Sequence, residues 1–318
     1  MNRTHQELLR STLEGSEGEP SVQASQATAS STLNTMPVTG TGKDVDGVGA
    51  TSTPGRAGAS PASAGQVNAA FVPAAGPLGK PMRWQPVVAD LPSLQPRTSA
   101  AEQFRRLRSR LLEYRGAGTL KTVLLSSALP QEGKSFVAAN LAVGLSQHRG
   151  TRVLLIDGDM RRYSLQRYFG STHQPGLADY LAGTAEADDV MQRADEATLA
   201  AFPGLTHLTL IPGGGMVEHV TDLSEDSRFG ALIKQVEPFF DWIIVDSSPV
   251  TLVSDAINLA RHCDGVLLVV RSGVTEYQQA QKAQSELQAS NLIGVVLNAV
   301  EDRPAPSYYG YGPAGAGA

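Results

Sequence analysis

Six apolar runs recur along the C-terminal two thirds of the chain, each ending in a polar turn: TVLLSSA from Thr122, RVLLIDGD from Arg152, LTLIPGG from Leu208, DWIIVDSSP from Asp241, GVLLVVR from Gly265 and IGVVLNAV from Ile293. Their Val, Leu and Ile positions are continuous instead of alternating, the pattern of strands covered on both faces, and helical stretches separate them. The expected fold is therefore α/β, a doubly wound, mostly parallel sheet over residues 96–303. Ahead of the first run, SAAEQFRRLRSRLLEY places Phe104, Leu107, Leu111 and Leu112 at helical spacing. Ser99 is a natural N-cap with Glu102 three residues on, so a helix is expected over about 99–115.

Composition divides the rest. Of the 318 residues, the first 95 are dominated by Ala, Ser, Thr, Gly and Pro, with few aromatics and no sustained periodicity. Such a stretch buries too little apolar surface to offset its ordering entropy and is expected to be disordered. The last segment, 304–318, is rich in Pro, Gly and Ala and is expected to be a flexible tail, yet it holds three of the eight tyrosines, Tyr308, Tyr309 and Tyr311. A net charge of -5 argues against a general nucleic-acid binder, because backbone affinity comes from clustered Lys and Arg. No run reaches the roughly 18–20 apolar residues a membrane helix needs, and MNRTHQELLRSTLEGSEGEP lacks the apolar centre of a signal peptide, so a cytoplasmic protein is expected. The single cysteine, Cys263, rules out an internal disulfide and reads as packing.

Three segments combine into candidate chemistry. SSALPQEGKSFVAANLAVGLSQ follows a strand and opens a helix, the context of a phosphate-binding loop, although Ala128 stands where the usual motif begins with Gly. Pro130, Gln131, Glu132, Gly133, Lys134, Ser135 and Phe136 would form the cradle, with backbone N–H groups of every residue but Pro130 open to phosphate, Lys134 would neutralise its charge, and the Ser135 hydroxyl would ligate Mg²⁺. Asp157 and Asp159 close the second run two residues apart, which in extended chain puts both carboxylates on one side. Beside a nucleotide, one such acid holds metal while the other takes a proton from an incoming hydroxyl. Asp246 closes WIIVDSSP where phosphate-loop enzymes keep an acid for the magnesium hydration shell. Each motif alone has a bland reading as a turn or cap; the combination favours ATP and Mg²⁺ as cofactors.

These residues resemble the bacterial tyrosine kinases that regulate export of capsular and extracellular polysaccharide. ALPQEGKS is similar to their Walker A, LLIDGDMR to their D-x-D-x-R motif and IIVDSSP to their Walker B. PGLADYLAG, SDAINLARHCDGVLLVV and GVVLNAV extend the likeness over about residues 96–303. Glu102, Arg105 and Arg108 match the family's E-x-x-R-x-x-R, and at i, i+3 and i+6 they share one helix face. The resemblance implies that Asp157 is the base, that Asp159 and Asp246 hold magnesium with Ser135, and that Arg161 is a supporting cation. It further implies that Tyr308, Tyr309 and Tyr311 accept phosphate in trans, in a ring-shaped homo-oligomer built on Glu102, Arg105 and Arg108. A separate membrane-anchored co-polymerase or chain-length determinant would activate the kinase, holding it peripherally at the inner membrane, and a tyrosine phosphatase would oppose it. The chain departs from the family in its short tyrosine cluster, and GGGMVEHVTDLSEDSRFG lacks an expected Asn-Pro segment. Two other readings share the fold: a partitioning or positioning ATPase, whose signature lysine would fall where this chain has Leu129, and a nucleotide-binding scaffold without catalysis.

Overall fold

The computed structural model describes residues 78–116, 118–215 and 227–300. The tyrosines at 308, 309 and 311, with the whole 304–318 segment, lie outside them, as do residues 1–77 of the N-terminal segment.

Eight strands form one sheet in the order β1-β4-β5-β3-β6-β2-β7-β8: β1 Lys80–Met82, β2 Thr122–Ser127, β3 Val153–Asp157, β4 Gln192–Ala194, β5 Leu208–Ile211, β6 Trp242–Asp246, β7 Gly265–Arg271 and β8 Leu292–Asn298. Every pairing is parallel except β4 with β5. The six runs read from the sequence are β2, β3, β5, β6, β7 and β8. The two short strands β1 and β4 escape pattern reading because three residues give no period to detect.

The helices are α1 Ser99–Gly116, α2 Lys134–Ser146, α3 Leu165–Phe169, α4 Leu177–Leu181, α5 Ala187–Val190, α6 Glu196–Ala201, α7 Arg228–Val236, α8 Asp255–Ala260 and α9 Tyr277–Glu286. Successive strand residues point to opposite faces and fill two cores. Val123, Leu125, Leu155 and Ile244 pack with α1 and α2, while Leu124, Leu154, Ile156 and Val245 pack with α4, α7, α8 and α9. Helix α2 is buried nearly all round, wedged between the sheet and α1, which explains its lack of a polar face.

The boundary expected at residue 95 needs correction, because residues 78–95 belong to the folded body. Lys80–Met82 pairs with β4, and the Trp84 ring, 2 % exposed, lies 5.4 Å from that of Phe169. The Gln85 and Val87 amides donate to the Phe169 and Tyr168 carbonyls at 2.8 and 2.9 Å. Asn140 on α2 grips the strap from the other side, donating to the Asp90 carbonyl and accepting from the Ser93 amide, both at 3.0 Å. The polar and Pro-rich composition hides this anchoring, since a few side chains make it without any periodicity.

Candidate active site

The order β3-β6-β2 sets the three motifs side by side at the carboxyl ends of adjacent strands, where open α/β sheets bind ligands. Asp157 and Asp246 are register partners, and Leu125, just before the loop, pairs with Asp246 on its other side. The loop then turns through Gln131 at φ 64 and Gly133 at φ 90 into α2. Gly133 is required both by that left-handed backbone and by space, since a Cβ there would stand 2.0 Å from Asn298 Nδ2.

Lys134 reaches over this end of the sheet. Its Nζ is 2.7 Å from Asp159 Oδ2, 3.9 Å from Asp246 Oδ1 and 3.4 Å from Ser135 Oγ, and the side chain is 12 % exposed. Burial pulls its pKa down, but Asp246 and Asp159 more than offset this, leaving it above the ordinary lysine value and charged.

The two acids of the D-x-D segment share the site by a different route from the one expected. Strand β3 stops at Asp157, so Asp159 lies beyond it and alternation does not align the pair. Gly158 presses against β6, donating its amide to the Asp246 carbonyl at 2.8 Å, which swings Asp159 toward Lys134. Asp157 instead points under the loop: its Oδ2 accepts the Ser164 and Leu165 amides at 3.1 Å each, and its Oδ1 the Asp159 amide at 3.3 Å. Asp157 and Asp246 have no solvent exposure. Burial, then repulsion from Asp246, pushes Asp157 up to about 7 despite the two amides, and burial pushes Asp246 up to about 6 against the pull of Lys134.

The acids' pKa shifts predict a measurable pH dependence. Between their ordinary value of 3.8 and the raised native values, the folded state binds more protons than the unfolded one. Stability is then greatest at low pH within that window and falls as pH rises through about 7. The unfolding temperature should drop between pH 5 and pH 8, and Asp157→Asn, which removes the charge and keeps an amide acceptor, should flatten the drop. A wild-type curve as flat as the variant's would contradict this assignment.

Magnesium fits the residues present. Asp246 Oδ1 is buried with no hydrogen-bond partner and faces the Lys134 and Ser135 side. Among the described residues no three His, Cys, Asp or Glu side chains form a ready metal cage. Ser135, Asp246 and Asp159 are the residues that would hold such an ion, together with phosphate and water.

Arg161 is anchored on α8. Its Nε donates to Asp255 Oδ2 at 2.8 Å, and Asp255, at the start of α8, is almost fully buried. Nothing in the sequence paired these residues, 94 positions apart. Glu102 is occupied by Arg105, 2.7 Å from its Nε, while Arg108 Nη1 donates to the Gly144 carbonyl of α2 at 2.9 Å. Two of the three helix-face residues thus pair with each other within α1, and the third ties α1 to α2. Ser164, whose hydroxyl is 3.5 Å from Asp246 Oδ2, was also not legible beforehand. Cys263 packs beside the second core, and burial pushes its thiol up, as inert packing requires.

No family model matches the chain. The tyrosine-protein kinase YwqD of Bacillus subtilis is 32 % identical over 219 residues, covering 68 % of this chain and 88 % of that protein. The chain belongs to the bacterial tyrosine-protein kinase family. The tyrosine-protein kinase Wzc of Salmonella typhimurium is also 32 % identical over 220 residues, but the matched part spans only 29 % of its length. Among solved structures, the kinase domain of the Escherichia coli tyrosine kinase ETK superposes with a TM-score of 0.62 at 30 % identity, covering 70 % of this chain and 84 % of that one. The chimerical protein CapA2B2 gives 0.60 at 26 %, covering 71 % and 93 %. The phosphate-loop fold and the ATP-binding tyrosine-kinase character follow from this membership. No helix among the described residues is long and apolar enough to cross a membrane.

Proposed function

We propose that this protein is a tyrosine autokinase that transfers the γ-phosphoryl group of ATP to Tyr308, Tyr309 and Tyr311 of a neighbouring copy, and that the cycle regulates polysaccharide polymerisation and export. The observation that carries the reading is the convergence of Lys134, Ser135, Asp157, Asp159 and Asp246 at one end of β2, β3 and β6.

In this reading the N–H groups of residues 131–136 and the Lys134 ammonium bind the phosphates, and Lys134 leaves Asp159 to follow the charge that moves to the γ-group. Magnesium, when bound at Ser135 and Asp246, neutralises charge on the phosphates. The tyrosine hydroxyl, with an ordinary pKa near 10, attacks phosphorus while Asp157 takes its proton, and ADP departs. A base held near 7 matches that task at neutral pH. Because Asp157 has no exposure, the 158–164 loop must yield for the hydroxyl to reach it. Arg161, held by Asp255, supports the loop and its charge from outside.

Glu102, Arg105 and Arg108 are assigned to the ring contact, which requires the Glu102–Arg105 pair to exchange partners across an interface. The activating partner is assigned as a separate membrane-anchored co-polymerase, the opponent as a tyrosine phosphatase, and nucleic acid has no part. That the structural neighbour CapA2B2 is a chimerical protein supports the idea of a second protein acting on the kinase. Modified tyrosines, each carrying about -1.5 to -2 charge, would be repelled from the acidic site, loosening the ring.

Purified protein incubated with Mg²⁺ and ATP, with and without a membrane fraction, should carry phosphate on Tyr308, Tyr309 or Tyr311 by mass-spectrometric mapping. The variant with all three changed to Phe should lose nearly all labelling, and the rate should rise with pH through about 7 as Asp157 ionises. ATP hydrolysis with unmodified tyrosines under every condition would turn the assignment toward a positioning ATPase.

A further inference from the structure

Glu132 lies inside the phosphate loop, is 2 % exposed, and forms no ion pair among the described residues. A buried carboxylate without a cation is costly unless its oxygens are hydrogen-bonded. Both are. Glu132 Oε2 accepts the Leu129 amide at 2.8 Å, which closes the first half of the loop on itself. Glu132 Oε1 accepts from the Thr275 hydroxyl, far away in the chain, in the turn between β7 and α9.

The Thr275 hydroxyl is itself oriented. Its oxygen accepts the Arg271 amide at 2.8 Å, so its proton is directed at Glu132. The same neighbourhood grips the loop twice more. Asn298 Nδ2, at the end of β8, donates to the Glu132 carbonyl at 2.9 Å, and Arg271 Nη1 donates to the Gln131 carbonyl at 3.4 Å. The Ser272 amide donates to the Asn298 carbonyl at 2.9 Å, locking the two strand ends together.

We propose that Thr275 is a positioning residue for nucleotide binding: through Glu132 it holds the Leu129–Gly133 backbone in the shape that presents its N–H groups to phosphate. The loop departs from the usual pattern at Ala128, and its left-handed turns at Gln131 and Gly133 need external support. Thr275 touches neither the acids nor Lys134, so its loss acts on how tightly nucleotide binds rather than on proton or phosphoryl transfer. The inference rests on the nucleotide-site reading above and adds to it a residue outside all three motifs.

The test compares full-length wild type, Thr275→Val and Thr275→Ser. Valine keeps the shape and removes the hydroxyl; serine keeps the hydroxyl. Expected for valine is about a tenfold weaker Mg-ATP dissociation constant by calorimetry, with the labelling rate at saturating ATP within about twofold of wild type. Serine should restore binding. Hydrogen exchange measured without nucleotide should be faster across residues 128–133 in the valine variant alone, with peptides from β3 and β5 unchanged. Unaltered affinity and exchange in the valine variant, or a serine variant as weak as valine, would overturn the proposal. Should wild type itself fail to bind Mg-ATP, the nucleotide reading fails, and the exchange comparison still decides whether Thr275 braces the loop.

Discussion

Replacing Lys134 by methionine is expected to lower tyrosine labelling by about a thousandfold, the scale of removing a pre-placed charge that acts on a transferring phosphoryl group. The size follows from where the ammonium sits. It is the one cation within 4.0 Å of Asp159 or Asp246 among the described residues, and its pKa is raised, so it stays charged through the neutral range. Methionine matches its length and apolar stem, which limits packing damage. The substitution also removes the cation nearest the carboxylates at the strand ends, so Asp157 and Asp246 should be driven further up and hold protons at neutral pH. Stability should therefore decline more steeply toward alkaline pH than in wild type. Initial labelling rates at saturating ATP, with unfolding temperatures at pH 6 and pH 8, test both parts. A variant keeping a tenth of wild-type labelling would remove Lys134 from the central role given to it.

Trp84→Ala should cost about 3–5 kcal/mol, the range for emptying a large buried aromatic site. For a domain of this size the unfolding temperature then falls by about 10 °C. The ring is 2 % exposed against Phe169, and the Trp84 backbone exchanges two hydrogen bonds with the Thr198 hydroxyl, at 3.1 and 3.2 Å. Phe169 closes α3, whose first amide, with that of Ser164, holds Asp157. Loosening the ring should therefore reach the acid as well as the core. A chain begun at residue 96 should show a loss at least as large relative to one begun at residue 78. Equal thermal unfolding of the two chains would show that the strap adds nothing to the fold.

Much of the sheet was legible because six strands are continuous apolar runs, and a run of Val, Leu and Ile long enough to be buried on both faces has few other destinations. Lys134 and Ser135 were readable from spacing, and Asp157, Asp159 and Asp246 from their places at the ends of such runs. Short range physics decides those features: residues a few positions apart share a strand end or a loop. The strap at 78–95 failed this reading because scattered anchoring contacts, such as Trp84 on Phe169 and Asn140 on Asp90, leave no period in the sequence.

What the sequence by itself determined, then, is the set of strands, the phosphate loop and the charges placed beside it. Only the tertiary structure decided which groups act together, because that depends on strand order. Inserting β6 between β3 and β2 brings Asp157, Asp246 and Lys134 within one site, although they are spread over more than a hundred positions. The same packing pairs Arg161 with Asp255 and Glu132 with Thr275. Hydrogen bonds and ion pairs act over a few ångströms in space, and the distance along the chain that they span is set by the fold.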